Sequence, residues 1–212
     1  MENAIQPFFY IAILIFSVVL HEVFHGVAAL ALGDRTAKDA GRLTLNPIPH
    51  IDIFGSIILP VLLVISQSPI LIGWAKPVPY NPYNLRNQKW GPALVGAAGP
   101  AANIILAVAF GVVLRVLLGF DGGGALSDFA FIAQTIVLLN LALAVFNLVP
   151  IPPLDGSKVL FALLPYQWRG IETFLEQYGI FLLLVFILFF SQVLAPVVFV
   201  LFRLFTGAFP IF

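Results

Sequence analysis

The sequence predicts an all-α polytopic membrane protein: a bundle of about four to six transmembrane helices with one re-entrant or hairpin segment. Three observations carry this. Of 212 residues, 61% are hydrophobic and only 9% are charged, against roughly 25% charged in an ordinary soluble domain. Four apolar stretches, 7–32, 92–120, 129–149 and 179–205, each reach the roughly 20 residues that a helix needs to cross a bilayer. No Cys occurs, so neither disulfides nor thiolate metal sites contribute. Ten basic residues balance ten acidic ones, which gives no basic patch for nucleic acid and no acidic tail.

The first stretch follows "MENAIQPFF", which has no Lys or Arg. It is too long for a signal-peptide core and lacks a small-residue cleavage site, so it is expected to be a retained span. A fifth stretch, 51–74, is ambiguous. Its cleanest apolar part, 53–65, contains Gly55, Ser56 and Pro60, and runs of about 10–14 residues are more often re-entrant or buried than spanning. Arg35, Lys38 and Arg42 precede it, and Lys76, Arg86 and Lys89 follow it. A full crossing would split these charges evenly. A re-entrant path gathers all six on one face, which the positive-inside rule favours. That path puts the N-terminus outside and the 33–91 loop in the cytoplasm. No repeat appears, and 1–212 reads as a single integral-membrane domain.

Within the loop, "GRLTLNP" (41–47) alternates as a strand does, and "AKPVPYNPYN" (75–84) is extended and punctuated by proline. A short hairpin at the membrane surface and an irregular interfacial loop are both consistent with this pattern. "SKVLFALLPYQWR" (157–169) reads as a short surface helix, with Lys158, Tyr166, Trp168 and Arg169 suited to the interface.

Chemistry concentrates in "VLHEVFHGVA" (19–28). His21 and His25 lie four residues apart, on one helix face, with Glu22 beside them. This is the HExxH arrangement of zinc hydrolases, and its chance occurrence in this composition is about one in a thousand. Ionisable groups inside a membrane cost about 2.5–3.5 kcal/mol each on insertion scales, and they usually mark function. A catalytic zinc takes three protein ligands and one open position, so a third ligand must come from elsewhere. One candidate is Asp155 in "NLVPIPPLDG" (147–156), where three prolines stop a helix and Gly156 permits a sharp backbone. The other is His50 in "NPIPHIDIFG" (46–55), which otherwise reads as a loop residue oriented by Asp52 or by backbone. Charge favours Asp155, because two neutral imidazoles, one carboxylate and a hydroxide nearly neutralise the ion in apolar surroundings. Glu22 is then the general base of peptide-bond hydrolysis.

In "GAAGPAANIILA" (96–107) small residues recur at helical spacing, which allows close helix approach; that face is expected to pack on the motif helix. Asn140 and Asn147 are seven apart and share a face. Asn140 reads as an interhelical hydrogen bond, and Asn147 as a donor to an oxyanion or to substrate backbone.

"HEVFHG", "NPIPHIDIFG", "GWAKPVPYNPYN", "GPAAN" and "FNLVPIPPLDG" together resemble the site-2 protease family of intramembrane zinc metalloproteases (peptidase M50-like), in its compact form. The resemblance covers about residues 8–165. It implies one Zn2+ per chain on His21, His25 and Asp155, with Glu22 as the catalytic base and Asn147 lining the substrate path. It also implies single-span membrane proteins or signal-peptide remnants as substrates, and a prokaryotic inner or plasma membrane with the active site towards the cytoplasm. Unlike the better-known members, the sequence shows no PDZ or CBS module. A helical substrate must be unwound before its carbonyls are accessible, and 41–47, with Leu43 and Leu45, alone or together with 76–80, is expected to offer a strand edge for it. The alternative is a non-proteolytic zinc-binding membrane protein, either a transporter or a metal sensor. It is disfavoured because no second carboxylate–histidine cluster lies along the spans.

Overall fold

The computed structural model describes residues 2–66, 74–119 and 124–208. All regular structure among them is helical. Helix α1 (Glu2–Ala31) carries the motif. A short helix α2 (Thr36–Asp39) follows, then a π-helical turn (Ile53–Ile58) leading into α3 (Leu59–Ile65). The remaining elements are α4 (Gly91–Leu117), α5 (Ala125–Asn147), α6 (Asp155–Leu163), α7 (Arg169–Val185) and α8 (Leu194–Thr206).

Among the described residues, four helical stretches are long and apolar enough to cross a membrane: Phe9–Ala31, Gly91–Leu117, Leu126–Asn147 and Tyr166–Thr206. With its composition this makes the chain an integral membrane protein. Helix α4 is the hub, packing against α1, α5, α6 and α8. Its small residues let neighbouring backbones approach, since lipid tails offer no hydrophobic drive for association. Ala107 and Leu114 of α4, Ala133, Val137 and Leu141 of α5, and Val198 and Phe202 of α8 form one buried core.

The last stretch departs from a single regular span over 179–205. It runs for 41 residues, or roughly 60 Å at about 1.5 Å per residue, twice a bilayer core of about 30 Å. Its beginning carries Arg169, Glu172 and Glu176, so the apolar part starts near Gly179, as the sequence suggests. It then loosens into a π turn (Phe186–Phe190) and a 3-10 turn (Ser191–Val193). Pro196 accounts for the 3-10 turn, because it lacks an amide hydrogen and its ring crowds the carbonyl four residues earlier, at Gln192.

Helices α1 and α4 are antiparallel, with His25 beside Val95 and His21 beside Asn103. At the end of this pair the Arg86 amide donates to the Leu32 carbonyl at 2.9 Å. The chain between therefore leaves and returns on one side, as the re-entrant reading requires. Part of the ambiguous 51–74 stretch, 67–73, lies outside the described residues, as do 120–123 of the opposite connection.

The 41–47 and 75–84 segments do not pair as a hairpin; no strand forms among the described residues. Proline removes amides at 77, 79 and 82, and the chain is held instead by long-range bonds to side chains. Arg42 donates to the carbonyls of Lys76 (2.8 Å) and Pro77 (3.3 Å), and the Lys76 amide donates to the His50 carbonyl. Asp34, fully buried at the end of α1, accepts from the Asn81 amide (2.7 Å), the Asn84 side chain (2.9 Å), and the Thr36 hydroxyl (2.6 Å) and amide (3.1 Å). Burial pushes the Asp34 carboxyl up, but these donors reverse that and hold it below the ordinary carboxylate range.

Candidate metal centre

His21 and His25 stand one turn apart on α1, facing α4. Beneath them is Gly99, where a Cβ would lie 2.5 Å from the His25 ring and 2.6 Å from His21 Cε1. Only glycine leaves room for both rings. His25 Nδ1 bonds the Val95 carbonyl at 2.6 Å, and a carbonyl only accepts, so Nδ1 carries the proton and Nε2 a lone pair. His21 Nδ1 likewise donates to Asn103 Oδ1 at 2.6 Å. Asn103 is oriented in turn, donating to Asn140 Oδ1 (2.8 Å) and to the Ser17 carbonyl (3.4 Å), while Asn140 donates to Ser17 Oγ (2.9 Å). Ser17, Asn103 and Asn140 are all buried, and the interhelical role expected of Asn140 is what the structure shows. This backing of ring N–H groups is characteristic of metal-ligating histidines.

The third group arrives from α6. After Asn147 ends α5, the 148–154 turn brings Asp155 in as the first residue of α6. Gly156 serves differently from expectation. Its backbone is ordinary helix, and its missing side chain instead permits contact with the Leu148 carbonyl, which a Cβ would strike. Asp155 Oδ2 lies 3.1 Å from both His21 Nε2 and His25 Nε2, which are 3.0 Å from each other. Lys158 Nζ lies 3.0 Å from the other oxygen, Oδ1, and this ammonium favours the anionic carboxylate. Three electron-pair donors this close repel one another unless a cation lies among them. Tetrahedral zinc, with ligands at about 2.0–2.1 Å, sets them about 3.3 Å apart, so the donor set fits a small divalent ion.

A Glu22 carboxylate oxygen and one ring nitrogen each of His21 and His25 lie within 4.8 Å of one another, and Glu22 Oε2 accepts the Val78 amide hydrogen at 2.7 Å. His21, Glu22, His25, Asn147 and Asp155 all line one cavity of about 180 Å³, roofed by Pro77, Val78 and Tyr80 and flanked by Lys158. Asn147 currently donates to its own helix, at the Leu143 carbonyl. His50 is not brought to the site; it is buried, and its Nε2 bonds the Thr44 carbonyl at 3.0 Å, a backbone orientation as expected. Leu43 lies against Gly26 of α1, while Leu45 is half exposed.

Two features escaped the sequence. Lys158 turns inward to Asp155 Oδ1 at 3.0 Å instead of lying at the interface, although its place one turn after Asp155 was a usable signal. The role of Asn103 depends on which α1 residue it meets across the helix pair, which spacing alone does not give.

The model for peptidase family M50 matches residues 124–190, the part containing Asn147 and Asp155. The "Putative zinc metalloprotease YwhC" of Bacillus subtilis is 38% identical over 186 residues, 86% of this chain and 80% of that protein. Two mycobacterial proteins with the same description, both called Rip2, are more distant. The Mycolicibacterium smegmatis protein is 32% identical over 74% of this chain and 61% of its own length. The Mycobacterium tuberculosis (H37Rv) protein is 29% identical over 87% and 71%. No solved structure matches.

Proposed function

Because this chain belongs to peptidase family M50, we propose that it is a zinc metalloprotease of the site-2 type, cutting peptide bonds within or near the transmembrane segments of membrane-anchored proteins. The observation that carries this reading is the convergence of His21, His25 and Asp155 on one point, beside Glu22, in a cavity roofed by extended backbone. Those three residues hold one Zn2+ per chain. When bound, zinc supplies Lewis acidity and brings the pKa of water to about 7.

The chain's own residues do the rest. Glu22 is the base: Val78 fixes Oε2, and Oε1 takes the proton of the attacking water and delivers it to the leaving amine. Asn103 and the Val95 carbonyl keep both imidazoles in the ligating tautomer. Asn147 exchanges its bond to Leu143 for one to the substrate backbone or the developing oxyanion. Since the prolines and occupied amides of 76–80 leave no edge on that segment, the unwound substrate runs beside the 41–47 backbone, where Leu45 is half exposed and Leu43 is seated on Gly26 of α1. Backbone pairing there holds a strand without demanding a particular sequence. Single-span proteins and signal-peptide remnants are the substrates this arrangement suits. The six basic residues of the 33–91 loop favour a site facing the cytoplasm, and membership of the family suits a prokaryotic plasma membrane.

Co-expression with tagged single-span proteins tests the reading. Glu22→Gln keeps its zinc and loses all cleavage if the reading holds. Cleavage that persists in this variant, or a wild type that cuts no substrate while transporting zinc, overturns it.

A further inference from the structure

Lys158 sits where a surface lysine has no reason to be. Its side chain is 29% exposed and its stem lies over α4, so that a Cβ at Gly96 would be 3.0 Å from Lys158 Cδ. Its Nζ is 5.5 Å from the centre of the Tyr80 ring, within cation–π range. The third neighbour is Asp155, and only one of its oxygens is involved. Oδ1 meets the ammonium at 3.0 Å, while Oδ2 faces the two imidazole nitrogens. The two carboxylate oxygens thus have separate partners.

We propose that Lys158 is a positioning residue: it holds Asp155 as a one-oxygen ligand to the metal. This rests on the zinc reading above. A free carboxylate beside a divalent ion can bind through both oxygens, and doing so here would consume the position that water or the substrate carbonyl must take. An ammonium on Oδ1 prevents that. Tyr80 closes the third side and ties the ammonium to the same roof that bonds Glu22.

The test uses the full-length chain in detergent. Zinc affinity is read by chelator competition, and coordination by the visible spectrum of the cobalt(II)-substituted protein, which weakens when a four-coordinate site gains a fifth ligand. Lys158→Met keeps the apolar stem without the charge. It is expected to bind zinc about 10–100-fold more weakly, the usual scale for a residue that orients a metal ligand, and to show the weaker cobalt bands at saturation. Lys158→Arg, which can still pair with the carboxylate, restores the spectrum. Should Lys158→Met fail to fold, Lys158→Gln makes the same comparison. Wild-type affinity and an unchanged cobalt spectrum in the neutral variant overturn the proposal, as does a Lys158→Arg protein as impaired as Lys158→Met. A wild type that takes up neither metal instead refutes the zinc reading, before any variant is made.

Discussion

The floor of the cavity and its roof are built by different physics. The floor is helix on helix: α1, α4 and α6 meet at Gly99 and Gly96, and the polar groups there are satisfied by a closed, buried chain from His21 through Asn103 and Asn140 to Ser17. The roof, 75–85, is irregular apart from one 3-10 turn (Pro82–Asn84). It is hung from Asp34, Arg42 and Glu22 by side-chain bonds to its backbone, and Leu85 and Tyr80 pack on Ala29 and Val95. The floor fixes where a metal can sit, and the roof governs what reaches it. Damage to the floor should therefore remove metal, and damage to the roof should remove activity while sparing metal.

The largest expected effect is at Gly99. A single methyl there meets both imidazoles, so Gly99→Ala should lower zinc affinity by at least about a hundredfold while helix content measured by circular dichroism stays intact. Full zinc occupancy in that variant would show that the floor is not the rigid element described. Next is Asn140→Leu, two residues removed from the metal. It deprives Asn103 Nδ2 and Ser17 Oγ of one bond each, which should cost about 1–3 kcal/mol in a denaturation experiment, and zinc affinity should fall about tenfold as Asn103, the support of His21, is less firmly held.

How legible these regions were follows the same division. The floor could be read from sequence because helical spacing alone stacks His21 over His25, marks the small-residue face of α4, and aligns Asn140 with Asn147. The proline-rich stop before Asp155 announced a turn at the site. The roof could not be read this way. Alternation in 41–47 suggested a strand, but a strand needs a partner with free amides, and the prolines of 75–84 deny it one. What replaced pairing, the bonds to Asp34 and Arg42, joins residues more than thirty apart by no periodic rule. Lys158 was misplaced for a related reason: its polarity suits an interface, and only the tertiary position of Asp155 and Tyr80 turns it inward.

The roof predictions are smaller. Asp34→Ala removes the acceptor of four hydrogen bonds. It should raise proteolytic cutting within 75–85 and reduce substrate cleavage severalfold, with zinc content unchanged; lost zinc would mean that roof and floor are one unit. Asp34 also gives the roof a pH dependence. Its folded pKa lies below the unfolded value of about 3.9, so its contribution is fully present above that value and is lost as pH falls through the folded one. Hydrogen exchange of the 75–85 amides should rise in that acid range in the wild type beyond the intrinsic trend, and this excess should be absent in Asp34→Ala. The mildest effect is expected of Arg42→Met, which frees the Lys76 and Pro77 carbonyls but leaves Asp34 in place. Its signature is a higher KM with little change in kcat.

Metal content of the detergent-extracted full-length chain tests the metal centre most directly, by elemental analysis of wild type beside His21→Ala, Asp155→Ala and His50→Ala. One zinc per chain in the wild type and in His50→Ala, with loss in the other two, is the expected result. A wild type without zinc, or zinc that leaves with His50 and stays without Asp155, would contradict it.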